Sequence, residues 1–72
     1  MAEKINAPLT GNVWKIVARV GDSLSEGDEV LIMESMKMET AILAGSAGKV
    51  TELLVAPGTA VKRGTLLARI ES

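Results

Sequence analysis

The stretch Val30-Leu31-Ile32-Met33-Glu34-Ser35-Met36-Lys37-Met38-Glu39-Thr40-Ala41-Ile42-Leu43 sets two apolar arms on either side of a short polar interruption. Two strands joined by a tight turn read in this way. With Met36 and Lys37 as a two-residue loop, Ser35 faces Met38, Glu34 faces Glu39, Met33 faces Thr40 and Leu31 faces Ile42, and both arms pair. The favoured two-residue hairpin turn needs positive φ at one or both central positions and normally recruits Asn-Gly, Asp-Gly or Gly-X. The chain has seven glycines, and none stands here. Glu34 opposite Glu39 adds a like-charge pair that costs a few tenths to about 1 kcal/mol if both face the same side. Stability did not choose these residues, and a local rule broken in this way marks a functional site. The candidate is the Lys37 amine, exposed on a rigid ribbon where another enzyme can reach it. Such an amine is nucleophilic only when deprotonated, so the modifying enzyme supplies the base.

On either side of this segment the chain repeats itself. Residues 7–35 laid on 44–72 at an offset of 37 match at Ala7/Ala44, Gly11/Gly48, Val13/Val50, Gly21/Gly58, Gly27/Gly64, Glu34/Glu71 and Ser35/Ser72, seven identities in 29 without a gap. Three are glycines, which permit positive φ at turns. Each half reads as a strand after the first glycine, a turn at Gly21 or Gly58, a short apolar contact at Leu24 or Val61, a turn at Gly27 or Gly64, and a closing strand. Pro8, Pro57 and the spacing of the glycines leave no room for a helical period. The reading is all-β, a sandwich or flattened barrel with a pseudo-twofold axis. Its expected strands are 4–7, 12–19, 23–24, 29–35, 38–44, 48–55, 60–62 and 66–71. The expected core is Val13, Ile16, Leu24, Val30, Ile32, Leu43, Val50, Leu53, Val61, Leu67 and Ile70, with Trp14 covering one end.

Composition narrows the function. At 72 residues the chain allows one small domain over 1–72, and the absence of cysteine and histidine removes disulfides, Cys nucleophiles, His bases and the usual zinc ligand sets. Independent catalysis is not expected, nor a metal site. A net charge of -1 with Trp14 as the only aromatic offers no basic field and no stacking platform, so nucleic acid is not an expected partner. The longest apolar runs, such as Val30 to Met33 and Leu53 to Ala56, have only four residues. These are far short of a membrane span, and no signal-peptide core precedes them. A soluble cytoplasmic protein, monomeric in isolation, is the expectation.

Glu34-Ser35-Met36-Lys37-Met38-Glu39, centred between two glycine-marked half-repeats, resembles the attachment site of the biotinyl/lipoyl domain family, and the likeness covers essentially the whole chain. Met-Lys-Met is similar to the biotin-accepting branch, whereas lipoyl acceptors more often place Asp before the lysine and Ala or Val after it. Ser35 stands where most biotinyl domains have Ala. Small stand-alone members of the family are similar in length, in the Ser before Met-Lys-Met and in the opening Gly11-Asn12-Val13-Trp14-Lys15. With Met1, this likeness leads us to expect a complete small protein.

The resemblance implies a barrel-sandwich hybrid of two four-stranded antiparallel sheets, the modified lysine at a hairpin tip, and no protruding thumb, since the halves align without an insertion. It implies biotin joined covalently to Lys37 by a biotin protein ligase, and a carrier serving a biotin carboxylase and a carboxyltransferase. Met36 and Met38 are expected to engage those partners, with Glu34, Ser35 and Glu39 flanking the recognition site. Two alternatives stay open at this point. One is a lipoyl carrier of a 2-oxoacid dehydrogenase-type complex, against which Met38 argues; the other is an unmodified structural module of the same fold.

Overall fold

Apolar residues that alternate along short segments, broken by glycine turns, leave this chain only strands with which to bury them. The computed structural model describes residues 2–72 and forms eight strands: β1 Ala2–Asn6, β2 Gly11–Ile16, β3 Ser23–Leu24, β4 Glu29–Ser35, β5 Met38–Leu43, β6 Gly48–Leu53, β7 Ala60–Val61 and β8 Leu66–Glu71. They make two four-stranded antiparallel sheets, in the orders β1-β8-β6-β3 and β5-β4-β2-β7. No described residue is helical, so no helix is long and apolar enough to cross a membrane. The fold is the expected flattened barrel of two sheets.

The pseudo-twofold is visible in individual hydrogen bonds. The Gly21 amide donates to the Val50 carbonyl at 2.8 Å, and the Gly58 amide donates to the Val13 carbonyl at 2.7 Å. The Gly27 amide donates to Ala44 and the Gly64 amide to Ala7, both at 2.8 Å. The Asp22 and Asp28 carboxylates accept from the amides of Arg19 and Ser25, whereas the Thr59 and Thr65 hydroxyls accept from those of Ala56 and Lys62. Chemically different side chains thus close the same four turns. Gly21 and Gly58 have φ of 98° and 91°, a conformation that costs an L side chain steric strain.

Strand irregularities recur with the same spacing. The β2–β4 register slips between Val13 and Lys15, leaving Trp14 as the extra residue; the β6–β8 register slips between Val50 and Glu52, leaving Thr51. A second pair of slips makes Val30 extra against β5 and Leu67 extra against β1. Such bulges bend a strand and let the sheet curl over its core. Val30, Leu31, Leu67 and Ala68 are all fully buried, so at both places a bulge puts two consecutive residues inside.

The core comprises Ile5, Val13, Val30, Leu31, Met33, Ile42, Val50, Val61, Leu67 and Ile70 with the small Ala7, Ala18, Ala44 and Ala68. Ile16, Leu24 and Leu53 pack against it half-buried, and Ile32 is half-buried on the outer side. Three expectations need correction. Ile32 is not a core residue, because it pairs with Ala41 on the outer face while Leu31 and Met33 on either side of it point inward. Leu43 is 49% exposed, because its neighbour Ile42 pairs with inward-facing Leu31 and occupies the core position. Trp14 is 48% exposed and lies outside the core cluster, because the bulge carries it away from the inner face. Strand ends shift by one to three residues for local reasons. For example, β2 stops at Ile16 because the amides of Val17 and Ala18 both turn to the Val30 carbonyl, and β1 stops short of Pro8, which has no amide to donate.

Because a Cβ at Gly21 or Gly58 meets nothing within 4 Å, any cost of substitution there is backbone strain. Gly21→Val and Gly58→Val are each expected to lower stability by about 1–3 kcal/mol. Urea denaturation checks this; unchanged midpoints in both variants would remove positive φ as the reason for glycine at these turns.

Candidate functional site

The β4–β5 hairpin forms in the expected register: Ser35 with Met38, Glu34 with Glu39, Met33 with Thr40, Ile32 with Ala41 and Leu31 with Ile42. Its legs are anchored by Val30, Leu31 and Met33, each 0% exposed, and by Ile42. The two-residue turn has φ of 53° at Met36 and 66° at Lys37, and these are the only described non-glycine residues with positive φ. Two successive left-handed residues define the type I′ turn, whose twist matches that of the flanking strands. The turn geometry is what a hairpin of this length demands, and the residues are not those that adopt it easily.

Met36 is 92% exposed and Met38 70%, with Lys37 exposed between them. Two large thioether side chains are therefore held in water beside an amine that, among the described residues, makes no hydrogen bond or ion pair. Glu39 is exposed and Glu34 and Ser35 are partly covered, so Lys37 and the five flanking residues singled out in the sequence gather at one tip. Glu34 and Glu39 share the outer face as a cross-strand like-charge pair. No group of histidine, cysteine or carboxylate residues suited to a metal ion occurs among the described residues.

One supporting residue was present in the repeat but not recognised as part of the site. A Cβ at Gly11 would lie 2.5 Å from the Glu34 carbonyl oxygen and 3.1 Å from the Ser35 Cβ. Glycine there lets β2 press against the base of the turn and hold the ribbon that carries Lys37. Gly48 makes the same approach to Glu71 in the other sheet, which is the signal the aligned glycines carried.

The pseudo-twofold also shows what is particular to this tip. Glu71 pairs with Ala2 as Glu34 pairs with Glu39, so β8 and β1 repeat the legs of the hairpin, but no turn of the chain joins them. Among the described residues, the apex carrying Lys37 has no counterpart in the other sheet.

The family model described as "Biotin-requiring enzyme", that of the biotin/lipoyl domains, matches residues 3–70. The chain belongs to this biotin/lipoyl attachment family. It is 40% identical over 70 residues to "Biotinylated protein TB7.3 homolog" of Mycobacterium leprae, spanning 97% of this chain and 99% of that one. It is 41% identical over 69 residues to "Biotin carboxyl carrier protein" of Streptococcus mutans, spanning 96% of this chain and 53% of that protein. Among solved structures, it superposes on part of the urea carboxylase of Kluyveromyces lactis with a TM-score of 0.93 and 42% identity, spanning 99% of this chain and 6% of that one. The chain thus matches almost all of one relative, about half of the second and a small part of the third.

The turn's strain yields a stability test. Met36→Gly removes a left-handed L-residue that costs about 1–2 kcal/mol, against an entropic cost for glycine of roughly 0.5–1 kcal/mol. At 92% exposure it forfeits no buried contact. Equilibrium denaturation should show Met36→Gly more stable than wild type by about 0.5–1 kcal/mol; a loss of stability would mean that Met36 packs in a way its exposure does not reveal.

Proposed function

We propose that this chain is a biotin carboxyl carrier, residues 1–72 forming one biotinyl domain with biotin attached to Lys37. The observation that carries the reading is the strained turn: an unpartnered lysine held between two exposed methionines at positive φ, on a hairpin whose legs are locked into the core. The names of the Mycobacterium leprae and Streptococcus mutans relatives support biotin and do not favour the lipoyl alternative. An exposed primary amine with clear space around it suits the carboxyl end of biotin, which it would hold through an amide bond. When bound, biotin supplies a ureido nitrogen that accepts and releases a carboxyl group.

What this chain contributes is presentation. The Lys37 Nζ, once deprotonated, would attack the acyl carbon of biotinyl-AMP held by the loading enzyme; the new C–N amide bond replaces the acyl–phosphate bond, AMP leaves, and the amine loses its proton and positive charge. The formal net charge then falls by one, from -1 to -2. In this scheme the loading enzyme, a biotin protein ligase, supplies the base. Met36 and Met38 offer apolar, adaptable contact to each enzyme that receives the apex. The paired legs keep the base of the arm fixed, and tethering turns delivery between a biotin carboxylase and a carboxyltransferase into a local event at high effective concentration. The chain itself is non-catalytic in this scheme, acts as a monomeric unit and works in the cytoplasm.

Intact mass after co-expression with a biotin protein ligase tests the assignment. Wild type should gain one biotinyl adduct and Lys37→Arg none, with thermal melts of the two proteins matching because the apex side chain buries nothing. An adduct that persists in Lys37→Arg, a lipoyl adduct in its place, or no adduct on wild type would overturn it.

A further inference from the structure

Because the two sheets share one backbone plan, each residue on the outer face of the hairpin sheet has a counterpart that meets the same structural demand. Ile32 pairs with Ala41 as Arg69 pairs with Lys4, and Lys15 pairs with Ile32 as Glu52 pairs with Arg69. Trp14 corresponds to the other bulge residue, Thr51, and Leu43 to Asn6. On the second sheet these places are polar, and Arg69 Nε lies 2.7 Å from Glu52 Oε1 in an ion pair, though not aligned as a hydrogen bond. On the hairpin sheet four of the five become Trp, Ile, Ala and Leu. Trp14 and Leu43 are 48% and 49% exposed, and Ala41 is exposed too. The fold does not require an apolar surface here, since its own symmetry copy does without one.

The border of this patch is charged in one sense. Toward the apex stand Glu34 and Glu39, whose counterparts are Glu71 and Ala2, so the like-charge pair exists only on this sheet. Glu29 pairs with Leu43 at the other end, where Leu66 and Asn6 are the counterparts. Three carboxylates against the single Lys15 give the patch an acidic rim, complementary to an apolar protein surface edged by basic side chains.

We propose that this outer face, built on Trp14, Ile32, Ala41 and Leu43 and rimmed by Glu34 and Glu39, is the docking surface for the enzyme that loads Lys37. The proposal rests on Lys37 as the biotin acceptor. The loading enzyme is the occupant because it has a problem of selection. The chain has five lysines, Lys4, Lys15, Lys37, Lys49 and Lys62, all exposed. One amine among five of the same kind is chosen by what surrounds it, and a face continuous with the strands that carry the apex delivers Lys37 in a fixed orientation.

The symmetry supplies variants that the backbone tolerates, since each replacement is the residue already used at the equivalent place. Trp14→Thr combined with Ala41→Lys should raise the ligase KM for the full carrier about tenfold, with kcat and the thermal melt little changed. Lys4→Ala, the reverse change on the other sheet, should leave KM as in wild type. A biotinylated wild type with the double variant's KM within twofold of it overturns the docking face alone, whereas absence of any adduct on wild type overturns the Lys37 assignment. Titrating 15N-labelled wild-type carrier with the ligase gives a second readout, independent of how the variants fold. The amides of residues 14, 32, 41 and 43 should move with those of the apex. Movement confined to residues 34–39, or the same changes on concentrating the carrier alone or only on adding the biotin carboxylase, would overturn the proposal.

Discussion

Two consecutive L-residues held in the left-handed region at the end of a ribbon are stable only if the ribbon itself cannot relax. Each costs about 1–2 kcal/mol relative to a favourable conformation. The ladder of β4 on β5 and the burial of Val30, Leu31, Met33 and Ile42 resist that cost. A fully buried aliphatic side chain contributes about 1.5–3 kcal/mol, so four of them exceed the strain of the turn severalfold. The placement of Lys37 is therefore a property of the core beneath it. Gly11 belongs to the same arrangement, since any side chain there would push β2 off the carbonyl of Glu34 and loosen the base of the hairpin.

Duplication makes that support possible in a chain this short. Repeating one set of turns, glycines and bulges gives two sheets that close on each other, and the closing bonds run between halves, as from Gly21 to Val50 and from Gly58 to Val13. Neither half has a complete core alone. The symmetry also separates structure from use: where Asp22 and Thr59 differ but close the same turn, the difference has no structural consequence. Where one sheet has an apex with Met-Lys-Met and the other has the two legs unjoined by a turn, the difference is one that the fold does not require.

Much of this was legible in the sequence, for identifiable reasons. Two apolar arms around Ser35-Met36-Lys37-Met38 admit one register that pairs them, and the structure adopts it residue for residue. The aligned glycines marked turns because positive φ is a local requirement that few other residues meet. What could not be read was the phase of burial where a bulge intervenes. In Val30-Leu31-Ile32-Met33 every residue is apolar, so alternation gives no phase, and the extra residue at Val30 puts two neighbours inside in succession. That slip hides whether Ile42 or Leu43 faces the core. A slip of the same kind hides the place of Trp14, since a large aromatic in a strand reads as covering the core unless the bulge beneath it is known.

The exposed methionines set the limit of what stability can explain. Asn-Gly at positions 36 and 37 would form the same turn with less strain, and a polar residue at 38 would expose less apolar surface. Both changes would keep the hairpin and remove what another protein can grip. The chain instead places its positive-φ glycines, Gly21, Gly27, Gly58 and Gly64, at turns that only have to close, and its two left-handed L-residues at the apex that carries Lys37. The fold's contribution is therefore positional: its buried legs fix where one exposed amine stands.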